Sequence, residues 1–149
     1  MTVLEWSAEL ELQSAVMDDT HREFVALLNE MGDASASEML ASVDAFLAHT
    51  ERHFAQEEQW MTATDFPPLG CHKTEHDGIL DVVREVRNRV AAGELHYGNA
   101  LAAALAEWFP LHAQGMDAML ALYLREAGFD PAQTEGADAP VADAPACSR

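Results

Sequence analysis

Residues 49–76 read HTERHFAQEEQWMTATDFPPLGCHKTEH. Polar and apolar residues run at helical spacing, break at two prolines and a glycine, and resume: two helices joined by a short, stiff turn. Residues four apart on a helix project from one face, with Cβ atoms about 5–6 Å apart. His53 with Glu57, and His72 with His76, therefore each aim two donor groups in one direction. Either pair alone is a pattern that chance produces on many solvated helices.

Working outward, the apolar residues Phe24, Leu27, Leu28 and Met31 predict a helix after a short arm to about Val16, with Asp18 or Asp19 as N-cap and Gly32 as its stop. The next begins near Ser35 or Ser37, carries Met39, Leu40, Val43, Phe46, Leu47, Phe54 and Trp60, and ends at TDFPPLG. From about Leu69, the stripe Ile79, Leu80, Val83, Val86 and Val90 stops at Gly93. The fourth run, 99–128, is rich in Ala and Leu and stops at Gly128. Pro110 is expected to kink it just before His112. Four helices, short links and no strand pattern give an all-α, antiparallel up-down-up-down four-helix bundle. It spans residues 1–129 with its N-terminal arm; the Ala/Asp/Pro-rich segment 130–149 is expected to be a disordered tail.

The chain has 149 residues, 49 % of them hydrophobic, which suits one domain with a buried core. Its 26 Asp and Glu against 8 Lys and Arg give a net charge of -18, which repels phosphate backbones and anionic lipids, so neither nucleic acid nor a membrane is expected as a partner. No apolar run approaches the ~20 residues that span a bilayer, and the start has no secretory pattern. A cytoplasmic monomer is expected, with Cys71 and Cys147 both reduced.

Donor groups accumulate on all four helices: His21 on the first, His53 and Glu57 on the second, His72 and His76 on the third, His112 and Asp117 on the fourth. Inward-facing imidazoles and carboxylates from facing helices are how bundles build di-iron sites, and buried charges of this kind need a metal or partners. Asp117 is the awkward member. Five residues along an ideal helix rotate it ~140° from His112, so the two do not share a face: either a bridging carboxylate need not lie beside the histidine, or a π-bulge or the Pro110 kink reorients the turn, or Asp117 is simply exposed.

The order His21, then HFAQE, HKTEH and HAQGMD, with LEWS in the arm and DDTH at the first histidine, resembles the hemerythrin family, specifically a single-domain bacterial hemerythrin, over about residues 3–127. The resemblance implies two non-haem iron ions with an oxo or hydroxo bridge, one held by His72, His76 and His112, the other by His21 and His53, with Glu57 and Asp117 bridging both. It implies reversible dioxygen binding at the two-histidine iron, for storage, sensing or delivery to oxygen-consuming enzymes. The rival readings are an enzyme acting on peroxide or nitric oxide, and an iron-handling or repair protein.

Phe24, Phe54 and Trp108 are expected to line the oxygen pocket, their alternative being ordinary core packing. Ala113 and Gly115 stand where relatives place bulkier groups, and Pro110 is unexpected; together they are expected to make the pocket wider and wetter, favouring oxidation. His49 is set aside as exposed or adjacent to the ligands, because choosing it over His53 shifts the site by a turn. His96 is read as part of a solvated turn, Glu58 as facing solvent or a neighbouring helix, and Cys71 as a buried, inert thiol.

Overall fold

A computed structural model describes residues 2–133. The tail expected over 130–149 lies outside the described residues from 134 onward. Four helical rods make the bundle: α1 (Ala15–Asp33), α2 (Met39–Ala63), α3 (Leu69–Ala91), and a fourth rod of α4 (His96–His112), a π turn (Ala113–Asp117) and α5 (Ala118–Glu126). Among the described residues there is no strand. Each rod packs on its sequence neighbours, and α4 closes the ring against α1. This is the antiparallel arrangement that short links dictate. No described helix is long and apolar enough to cross a membrane.

The first helix begins one turn earlier than expected. Ser14 is its N-cap, with Oγ accepting from the Met17 N–H at 3.4 Å. Asp18, read as a candidate cap, is buried, and its carboxylate instead accepts from the Leu12 N–H at 2.8 Å, which ties the arm to the helix. Further along the arm, the Asn29 side chain accepts from the Val3 and Leu4 N–H groups and donates to the Leu4 carbonyl. The end of α2 is closed by the hydroxyls of Thr62 and Thr64, which donate to the Glu58 and Trp60 carbonyls, before Pro67 and Pro68 prevent continuation. After α3, Gly93 takes a φ of 96°, open to glycine without strain.

The fourth rod starts three residues before Asn99, so His96 opens a helix instead of sitting in a turn. This early start brings Gly98 against Met39 at the head of α2, where the Met39 thioether occupies the place a Cβ would take. A side chain at 98 would require the Met39 side chain to move.

Two apolar cores fill the bundle. One, at the end holding the α1–α2 and α3–α4 links, contains Phe24, Leu28, Met31, Phe46, Val83 and Phe109; the other, at the opposite end, contains Met17, Trp60, Met61, Phe66, Leu120 and Leu124. Burying each such side chain contributes roughly 1.5–3 kcal/mol. Between these cores lies a layer of polar residues shielded from water at both ends.

Helix lengths put that layer at one height. His21 stands 12 residues before the end of α1 and His53 14 after the start of α2, a mismatch of only ~3 Å. His76 stands 15 residues before the end of α3 and His112 16 after the start of α4, a mismatch of ~1.5 Å.

Candidate metal centre

All seven residues singled out in the sequence converge in this layer, each at 4 % exposure or less. The two carboxylates divide the five imidazoles between them. Oε1 of Glu57 lies 3.4 Å from Nε2 of both His72 and His76, and Oδ1 of Asp117 lies 3.0 Å from His72 Nε2 and 3.1 Å from His112 Nε2. The other oxygens face the opposite way: Glu57 Oε2 is 2.8 Å from His53 Nε2 and 3.5 Å from His21 Nε2, and Asp117 Oδ2 is 3.2 Å from His21 Nε2. Three rings therefore gather on one side of the carboxylate pair and two on the other.

These distances are short, yet most lack the direction of a hydrogen bond. Nε2 of His21, His72, His76 and His112, Oε1 of Glu57 and both oxygens of Asp117 are buried without a hydrogen-bond partner. Leaving so many buried polar atoms unsatisfied costs about 1–3 kcal/mol each, so the arrangement is tolerable only if something else engages them. An octahedral ion with donors at about 2.1 Å has neighbouring donors about 3.0 Å apart, close to the spacings here. Two such groups fit metals: Glu57, His72, His76, His112 and Asp117, and His21, His53 and Glu57. Imidazole and carboxylate donors with no thiolate suit iron, among the divalent metals.

The π turn reconciles His112 with Asp117. Pro110 has no N–H to donate to the Ala106 carbonyl, and three residues after it the helix widens into i→i+5 pairing over Ala113–Asp117. Five residues then complete about one turn, so both side chains reach the same side.

Two carboxylates support the ligands, one of which sequence reading missed. Glu58, read as facing solvent or a neighbouring helix, is buried against α3, and its Oε2 accepts from His76 Nδ1 at 2.9 Å. Glu75, inside the HKTEH motif, accepts through Oε1 from His112 Nδ1 at 2.9 Å and from Trp108 Nε1 at 3.0 Å. A carboxylate can only accept, so each ring keeps a proton on Nδ1 and turns Nε2, the nitrogen free to meet a metal, inward. The signal was available in spacing: Glu75 and His72 are three apart on α3.

Electrostatics follow from the same contacts. Burial alone would lower the pKa of His21 and His72, but the neighbouring Asp117 and Glu57 carboxylates outweigh it and raise both to about 10 in the metal-free layer. Burial would raise Glu57 and Asp117, and the surrounding imidazoles instead hold both well below the usual carboxylate range. His49 stands a turn away, buried, with Nδ1 3.6 Å from Glu23; burial and the neighbouring His53 push it down to about 4.

Aromatic rings surround the layer unevenly. Phe24 stacks on Phe109 at 4.4 Å and meets His53 edge-on, while Phe109 stands edge-on to His21 at 5.1 Å. Phe54 lies flat on His76, 3.8 Å between centroids, and also approaches His53 at 5.2 Å. Trp108 stacks on His112 at 4.5 Å, on the three-histidine side and away from the His21 end. Ala113 is fully buried, and a Cβ on Gly115 would meet open space. Gly115 borders a cavity that His72 and His112 also line. Cys71, expected to be a buried thiol, is half-buried on α3; Cys147 lies outside the described residues.

Comparison with known proteins agrees with this layout. Residues 13–124 match the hemerythrin HHE cation binding domain. The chain is 47 % identical over 130 residues to a bacteriohemerythrin of Ralstonia nicotianae, covering 87 % of this chain and 95 % of that protein. It is 32 % identical to one of Stenotrophomonas maltophilia, over 78 % of each chain. The crystal structure of a hemerythrin variant superposes with a TM-score of 0.77 at 24 % identity, covering 83 % of this chain and 98 % of that one. The four-helix ring, the buried imidazole–carboxylate layer and these matches have one common source: the chain belongs to the hemerythrin family.

Proposed function

We propose that His72, His76 and His112 hold one iron, that His21 and His53 hold the other, and that Glu57 and Asp117 bridge the two. The protein binds dioxygen at the non-haem di-iron centre that these residues would hold; it is an oxygen-binding protein and not an enzyme. The observation that carries the assignment is the three-to-two division of imidazoles by the carboxylate oxygens. When bound, the two ferrous ions supply the electrons that make dioxygen binding reversible.

The chain's own residues do the rest. The shared carboxylates leave the two-histidine side one protein donor short of the other, which is where a small ligand finds room. Phe24 and Phe109 line that side, joined by Phe54 from α2, and keep water away from the reactive position. Trp108, expected in the same pocket, is better placed to brace His112. Glu58 and Glu75 hold the imidazoles of His76 and His112 in the tautomer that presents Nε2 inward. A cytoplasmic location and delivery to oxygen-consuming enzymes belong to the same proposal.

The test uses anaerobic, fully reduced protein with its iron counted. Dioxygen is admitted, the visible charge-transfer spectrum followed, and the gas removed. An oxygen-dependent band at two irons per chain that disappears on degassing is the expected result. Direct passage to an oxidised form that degassing does not reverse would overturn reversible binding.

A further inference from the structure

A second cavity, of about 540 Å³, opens to the surface beside the three-histidine side. Its walls are Phe66, Trp108, Met116 and Met119, and Glu75 and His112 form its floor. The size is that of small-molecule sites, and so is the composition: mostly apolar walls with a few polar groups, His72, Glu75 and His112, gathered together. Leu111 and Met119 at its edge are 76 % and 55 % exposed. No role in oxygen binding accounts for it, because the rings of His72 and His112 stand between this cavity and the layer's centre.

We propose that this cavity binds a neutral aromatic hydroxyl compound, a hydroquinone in its reduced form, which serves as the electron donor that returns the oxidised metal pair to its ferrous state. Trp108 and the two methionine thioethers offer the faces and edges that aromatic rings favour. Glu75 lines the cavity and uses Oε1 for His112 and Trp108, so its other oxygen is the acceptor for a ligand hydroxyl. The net charge of -18 selects against anionic donors.

A ring seated there is separated from the metal pair by one imidazole. The hydroquinone gives up two electrons and two protons and becomes the quinone; the electrons reduce two ferric ions to ferrous, and the protons leave through the open mouth to water. This step rests on the di-iron reading, but occupation of the cavity does not.

The test therefore begins with binding. 1-Naphthol, a redox-quiet stand-in, is titrated calorimetrically into the full-length protein, with and without iron. One molecule should bind per chain. Gly115→Leu, which extends a side chain into open space in the cavity wall, and Met119→Glu, which charges its exposed rim, should each weaken binding at least tenfold. Leu122→Gln, on an exposed position outside the cavity, should leave it unchanged. In iron-loaded, oxidised protein, reduction by 1,4-naphthohydroquinone should saturate with donor concentration, and 1-naphthol should compete.

Absence of one-to-one binding, or equal binding by wild type and both cavity variants that keep wild-type helical content, would overturn the proposal. So would a non-saturating reduction insensitive to 1-naphthol. A wild-type dimer that takes up naphthol only after Leu111→Arg splits it would overturn it in favour of an interface between copies. A normal reversible oxygen band alongside any of these results would leave the oxygen reading standing, and naphthol binding without that band would do the reverse.

Discussion

Nε2 of His112 lies 3.1 Å from Oδ1 of Asp117 although five residues separate them along one rod. An α-helix would turn them ~140° apart, and the π turn over Ala113–Asp117 removes that rotation. A π turn is an α turn holding one extra residue, which has a consequence that can be measured. Deleting Gln114, an exposed residue within it, should convert it to an α turn with the two side chains four apart and still on one face. Two-iron loading should survive within about twofold. Inserting an alanine after Gln114 should rotate Asp117 away and abolish two-iron loading while helical content by circular dichroism is kept. Equal iron loss in both variants would show that the five-residue spacing itself, and not the shared face, is required.

His49, His53 and Glu57 lie along one stripe of α2, and only the last two enter the layer. His53→Ala and Glu57→Ala should each abolish stable two-iron loading, since each removes a buried donor that no other side chain replaces. His49→Ala should retain two irons per chain, with a modest fall in melting temperature from the lost buried ring. Iron counted against protein on the three variants checks this, and equal loss from all three would break the assignment.

The helices could be read because their apolar spacing is local, and so could the seven converging residues, because each sits on a recognisable phrase. What escaped was set by contacts between elements. The early start of α1 depends on Asp18 turning back to the Leu12 N–H, and the early start of α4 on Gly98 meeting Met39. Glu58 stayed undecided between solvent and a neighbouring helix because a rotation of ~100° from Glu57 leaves its environment open until α3 is placed beside it. Trp108 shares a face with His112, as four-residue spacing requires, but which side of the metal layer that face adjoins is decided by packing.

Glu58 and Glu75 each fix one imidazole without facing the centre. Glu58→Ala should free His76 to rotate and to carry its proton on either nitrogen, weakening iron retention against a chelator by about 10–100-fold. Glu58→Gln, whose amide oxygen can still accept from Nδ1, should recover most of that loss. Failure of glutamine to rescue would point to the negative charge, opposite Lys73 at 3.9 Å, as the property that matters.

The metal-free layer should respond to alkali in the opposite sense to the loaded one. His21 and His72 have pKa values raised to about 10 by Asp117 and Glu57 against the effect of burial. A histidine raised above its ordinary value of 6.5 stabilises the fold fully below pH 6.5 and loses that contribution as pH climbs towards 10. Glu57 and Asp117, both lowered, contribute above the ordinary carboxylate range and lose that only in acid; His53, lowered chiefly by burial, opposes folding when protonated below pH 6.5. His112 is raised as well, Asp117 and Glu57 outweighing burial, so between pH 6.5 and 10 the three raised histidines decide the trend, and the melting temperature of chelator-treated protein should fall. Metal must expel the same protons to reach Nε2, so apparent iron affinity should rise across this window by about tenfold per pH unit for each proton displaced. Anaerobic chelator competition and thermal melts at pH 6.5, 8 and 9.5 measure both slopes. A metal-free protein whose melting temperature rises over that range would mean that His21 and His72 are neutral in the folded chain, and that the layer is held together by something other than imidazolium–carboxylate attraction.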